Sequence, residues 1–176
     1  MFHPNSFNQA AFSNISWRYS TALPTSIFGM RRLRAAAVQA CGAESVATAA
    51  GFSLASWTDP AAPHVFPGIA DGLIRGRNRG RLPFVEVAVS LGSGAQVVAE
   101  QGGDLAQTLT IRCHAGGGLL EADSQTMQIL SACMRETRSS PTQLPELGPC
   151  RMGELVQGPW GHRRDATLTV YQTYYR

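Results

Sequence analysis

The side chains with the widest chemical range in this chain are its four histidines and four cysteines. They are His3, His64, His114, His162, Cys41, Cys113, Cys133 and Cys150. No two cysteines form a CxxC pair, and the adjacent Cys113 and His114 would point to opposite faces of a strand. The sequence therefore predicts no metal site and no cofactor. Cys113 and Cys133 are predicted to behave as small buried apolar side chains.

The spacing of acids, nucleophiles and glycines indicates no catalytic site. There is no Gly-x-Ser-x-Gly sequence, and the glycine clusters 92–94 and 116–118 lack the Lys-Ser/Thr that completes a phosphate-binding loop. Acidic residues such as Glu86 are scattered, with no spacing that forces two of them together. His162 stands beside two arginines in a polar turn and is predicted to face solvent. We therefore expect that this protein is not an enzyme.

Four arginines alternate with small or polar residues in one short segment, and we call Arg75, Arg77, Arg79 and Arg81 the arginine run. In an extended chain their side chains would share one face. Such a run repels itself, so it favours phosphates, carboxylates or solvent. A solvated loop, DNA and an acidic surface of a subunit or partner all remain open, and we favour the subunit or partner contact. The chain has no lysine, which codon bias explains and which also suits bidentate contacts.

Residues 1–25 are rich in Asn, Ser, Thr and Ala and are predicted to form an extended arm, which we call the aromatic arm. Phe7, Phe12 and Trp17 recur in it at a spacing of five, which matches neither the helical nor the strand period. The rings therefore cannot form one stripe on an isolated element. We expect each ring to dock separately on another surface; a low-complexity leader is the alternative.

Bulk composition favours one domain, residues 26–176, behind this arm. Apolar residues make up 44% of the chain, enough for a core, whereas charged residues make up only 15%. The charged fraction is below the roughly 25% of ordinary soluble domains, either because neighbouring subunits cover the surface or because the chain is rich in Gly and Ala. Neither a signal peptide nor a membrane span is predicted, so we expect a soluble protein made in the cytoplasm with no membrane partner.

Periodicity predicts a helix over residues 26–50, with Ser26 as its N-cap, Gly51 just past its end, and an end or bend at Gly42. Residues 52–81 read as loop with one short strand. Alternating apolar residues then predict strands over 82–91 and 105–113 that pair antiparallel, with a further short strand over 95–100. In the 105–113 segment, Leu109, Ile111 and Cys113 are expected on one face.

A second helix is predicted over 119–138, with acidic residues at its start and arginines at its end, as the helix dipole favours. Strands over 150–157 and 166–175 complete the chain. The predicted fold class is α+β: an antiparallel sheet packed against two helices, with the extended N-terminal arm.

This order of elements resembles the tail terminator (tail completion) family of tailed bacteriophages. The matching features are Leu82-Pro83-Phe84-Val85-Glu86-Val87, the Leu109–His114 strand, the helix around Ile129-Leu130-Ser131-Ala132 and the closing strand from Arg164 to Val170. The spaced aromatic residues resemble short repeats at the ends of phage tail proteins. The resemblance covers residues 27–176 and is a pattern of elements rather than a sharp motif.

The resemblance implies a virion structural protein, located in the tail or neck, that forms a homomeric ring. The ring is usually a hexamer that caps the tail tube, contacts the tail tube protein and the head–tail connector, and lets DNA pass through its lumen. Partner contacts are then expected at Phe7, Phe12, Trp17 and the arginine run. The longer 52–81 segment also fits a head-completion or connector protein of the neck. In a different class, the arginine run fits a small nucleic-acid-binding protein.

Overall fold

The computed structural model of the chain describes residues 22–68, 81–91, 103–139 and 147–174. Its helices are α1 (Ala22–Cys41), α2 (Glu44–Ala50), α3 (Leu54–Trp57) and α4 (Leu119–Ser139). Its strands are β1 (Val65–Pro67), β2 (Phe84–Leu91), β3 (Gly103–Ala115), β4 (Leu147–Met152), β5 (Val156–Gly158) and β6 (Gly161–Tyr174). The short strand predicted over 95–100 lies outside the described residues.

The strands form one six-stranded sheet in the order β1-β2-β3-β6-β4, with β5 also paired to β6. The long ladder at its centre joins β3, from Gly103 to Ala115, to β6, from His162 to Tyr174. Helices α1, α2 and α4 pack on this sheet or on one another. The α+β class predicted from the sequence, a sheet packed against helices, is therefore confirmed.

One edge of the sheet departs from the predicted antiparallel arrangement. Strand β1 pairs parallel with β2, with Val65 opposite Val85 and Pro67 opposite Val87. The pairs β2–β3, β3–β6, β4–β6 and β5–β6 are antiparallel. A parallel pair needs a long return connection, and residues 68–83 supply one between β1 and β2.

The first predicted helix is two helices, α1 and α2, separated at Gly42, where an end or bend was expected. The Gly42 N–H donates to the carbonyls of Val38 and Gln39 at 3.0 and 3.1 Å, which closes α1. The Cys41 carbonyl accepts a hydrogen bond from Trp57 Nε1 at 2.8 Å, so a side chain from α3 occupies it at the break. Gly51 takes the left-handed conformation at the end of α2, with φ of 81°, as predicted.

Helix α1 begins at Ala22, ahead of the predicted N-cap Ser26. Pro24 is compatible with this start because amide groups in the first helical turn have no intrahelical acceptor. The short helix α3 was not predicted. The Ser53 side chain caps it by accepting a hydrogen bond from the Ser56 N–H at 3.2 Å.

The core lies between the helices and one face of the sheet. Its fully buried sheet residues are Val85, Val87, Leu109, Ile111, Cys113, Ala166, Leu168 and Val170. Its helical residues include Leu33, Ala37, Val46, Ile129, Leu130 and Cys133. The alternation predicted for 105–113 is confirmed, as is the burial of Cys113 and Cys133, and Leu168 and Val170 of the predicted last strand are buried as well. Within the described ranges, no helix is both long and apolar enough to cross a bilayer.

The strand predicted over 150–157 is instead two strands, β4 and β5, divided at Gly153. The Gly153 N–H donates to the Asp165 carbonyl at 2.7 Å. A Cβ at this position would lie 3.1 Å from the same oxygen, so the close approach favours glycine. A tight turn then follows, because Gly158 and Gly161 pair across Pro159 and Trp160.

Candidate functional site

The sheet face opposite the helices carries most of the polar side chains of the central strands, and we call it the outer face. Side chains alternate along each strand, so those beside the core valines and leucines project to this side. Its central members are Phe84, Glu86, Arg112, His114 and Asp165. Glu86 pairs with Arg112 on β3, and Arg112 pairs with Asp165 on β6. One row across three strands therefore alternates acid, base and acid.

The Arg112–Asp165 pair is a bidentate ion pair. Arg112 Nε donates to Asp165 Oδ1 at 2.8 Å, and Nη2 donates to Oδ2 at 2.9 Å. Two parallel hydrogen bonds between charged groups fix the orientation of both side chains. The register of β3 and β6 places Arg112 directly opposite Asp165, so the ion pair links the side chains of two neighbouring strands within the long ladder.

Glu86 and His114 form a second polar contact on the outer face. His114 Nε2 lies 3.0 Å from Glu86 Oε2, and the side chains are only 3% and 1% exposed. Glu86 Oε1 is buried and has no hydrogen-bond partner. A carboxylate oxygen that is removed from water without a donor is costly, because the group loses its hydration and gains nothing in exchange. The site can therefore accept one further donor.

Aromatic rings surround this carboxylate. Phe84 stacks on His114 with ring centroids 4.3 Å apart, and Trp160 meets the two rings edge-on at 6.0 and 5.5 Å. Phe66 from β1 completes the group, 5.7 Å from Phe84. These rings exclude water from Glu86 and His114, which strengthens any hydrogen bond made there.

The helix side of the sheet holds a separate polar contact. Arg164 of β6 pairs with the Asp123 side chain near the start of α4, and its Nη1 also donates to the Asp123 carbonyl at 3.3 Å. Arg164 Nε is buried without a partner. This contact ties the first turn of α4 to the strand beneath it.

Three buried thiols, those of Cys41, Cys113 and Cys133, lie near one another in the core, and the ionisation of Cys41 and Cys113 is suppressed. A hydrogen bond with the Cys133 side chain, together with burial, raises the pKa of Cys41 well above its usual value. Burial raises the pKa of Cys113, and the neighbouring Arg164 guanidinium opposes this shift. Thiols held in the neutral form are weak nucleophiles, so Cys41 and Cys113 pack as apolar side chains do. In the described part of the chain, no three His, Cys, Asp or Glu side chains lie close enough to hold a metal ion.

The structure places only one of the residues predicted to contact partners. Arg81 is exposed, three residues before β2. Arg75, Arg77 and Arg79 and the three arm aromatics, Phe7, Phe12 and Trp17, lie outside the described residues. His162 was predicted to face solvent; it is half-buried at the start of β6, and its Nδ1 is enclosed without a hydrogen-bond partner.

Sequence reasoning missed the Glu86–His114 contact. The two residues are 28 positions apart, and only the β2–β3 register brings them together. The available signal was a glutamate inside the apolar run from Phe84 to Val89, since a charged residue among strand-forming apolar residues needs a buried partner. No family model matches the chain, and no curated protein matches it.

Proposed function

We propose that this protein is a virion structural protein that forms a homomeric ring at the head–tail junction of a tailed bacteriophage. The ring, hexameric in the family that the chain resembles, ends growth of the tail tube and joins it to the neck, with DNA passing through its lumen. The α+β architecture is compatible with this resemblance. A head-completion or connector protein of the neck is the alternative within the same class.

The observation that carries the proposal is that, among the described residues, the sheet has an open edge on each side. On one side, β1 pairs only with Val85, Glu86 and Val87. Among the described strands, none pairs with residues 88–91 of β2 on that side. The Val85 N–H and the Val87 carbonyl point toward β1. By the two-residue alternation of a strand, the backbone groups of Val89 point the same way, toward the open edge.

Among the described strands, the opposite side of the sheet is open near the end of β6. Strand β4 pairs with β6 from Ala166 to Val170, whereas β3 pairs with β6 as far as Tyr174. In the described ranges, residues 171–174 thus have a strand on one side only. Unpaired edges favour addition of another strand, and here the two edges belong to different strands.

Two different edges on opposite sides of one subunit suit head-to-tail association, which closes into a ring when the rotation permits. Exposed apolar side chains add to this argument. Leu119 and Leu120, at the start of α4, are 63% and 86% exposed, and Met127 is exposed two helical turns after Leu120. A subunit covered by neighbours would bury such side chains and would need few surface charges.

The test uses Val89→Pro, which removes the outward N–H of the β2 edge. The Val89 N–H does not take part in the β2–β3 ladder, so proline is compatible with this position. Val89→Ala is the matched control, because it also trims the side chain but retains the N–H. Val89→Pro is expected to abolish ring formation, while Val89→Ala still assembles, with ring content measured by native mass spectrometry.

Equal assembly by both variants would contradict strand addition at this edge.

A fluorescence titration with duplex DNA at two salt concentrations distinguishes a ring-forming structural protein from a nucleic-acid-binding protein. The ring proposal predicts weak DNA binding, whereas a nucleic-acid-binding protein would bind tightly, with an affinity that falls steeply as salt rises.

A further inference from the structure

We draw no further inference here: the strongest candidate, the exposed apolar surface of α4 at Leu119, Leu120 and Met127, carries none, because nothing in the structure shows what covers it.

Discussion

Arg112 and Asp165 face each other directly across the central ladder and join through two parallel hydrogen bonds of 2.8 and 2.9 Å. Arg112→Lys keeps the charge but cannot reproduce the planar fork. We expect it to lower the free energy of unfolding by about 1 kcal/mol, because the pair is partly exposed and solvent weakens it. Urea denaturation measures this change.

A double-mutant cycle with Asp165→Asn supplies the control for this prediction. Removal of the carboxylate should make the Arg112→Lys substitution less costly, so the two effects should be less than additive. Strict additivity would show that the pair contributes nothing to stability.

Trp57 holds the junction between α1 and α2. Its Nε1 donates to the Cys41 carbonyl at 2.8 Å, and its ring stacks on His64 with centroids 5.0 Å apart. Trp57→Phe retains an aromatic ring but removes this donor from a buried carbonyl, so we expect a loss of about 1–3 kcal/mol. Trp57→Ala should cost more, about 3–5 kcal/mol, because it also leaves a cavity. An unchanged unfolding midpoint for Trp57→Phe would contradict the role assigned to this hydrogen bond.

The buried thiols predict a loss of stability at alkaline pH. The pKa values of Cys41 and Cys113 are raised in the folded state. Below the pKa that a thiol has in the unfolded chain, both the folded and the unfolded protein therefore hold these thiols neutral. Above that pKa, the unfolded chain releases protons that the folded protein retains, and stability falls with a limiting slope of about 1.4 kcal/mol per pH unit for each thiol.

Denaturation under reducing conditions between pH 7.5 and 9.5 measures this slope. Cys113→Ala should reduce the slope, although it also lowers stability at neutral pH. Cys150→Ala is the control, because Cys150 is only partly buried and the nearby Arg138 opposes the rise of its pKa. If Cys113→Ala leaves the slope unchanged, the loss of stability at alkaline pH does not come from the Cys113 thiol.

The sequence predicts the alternating strands well, because their pattern is local. Leu109, Ile111 and Cys113 share one face and are all buried, as the two-residue period requires. The end or bend at Gly42 was also expected, whereas the Trp57 hydrogen bond to the Cys41 carbonyl at this break joins residues 16 positions apart and was not predicted. The parallel β1–β2 pair and the Glu86–His114 contact depend on strand order and register, and neither follows from local periodicity.

The aromatic arm is expected to contribute to assembly rather than to folding. Burying a large aromatic side chain contributes roughly 1.5–3 kcal/mol, so Phe7, Phe12 and Trp17 could together offset part of the entropy of ordering the arm. Deleting residues 2–20 should leave the melting temperature near that of the full chain but weaken ring formation. A truncated protein that assembles as well as the full chain would identify the arm as a leader only.

A mass-resolved oligomer measurement on the purified full chain tests the ring most directly. Across a range of concentrations in low and moderate salt, we predict a closed assembly of one fixed stoichiometry, with the sixfold mass that the resemblance implies and with no bound DNA. A protein that stays monomeric at every concentration and instead binds DNA tightly, with an affinity that falls steeply as salt rises, would contradict the proposal.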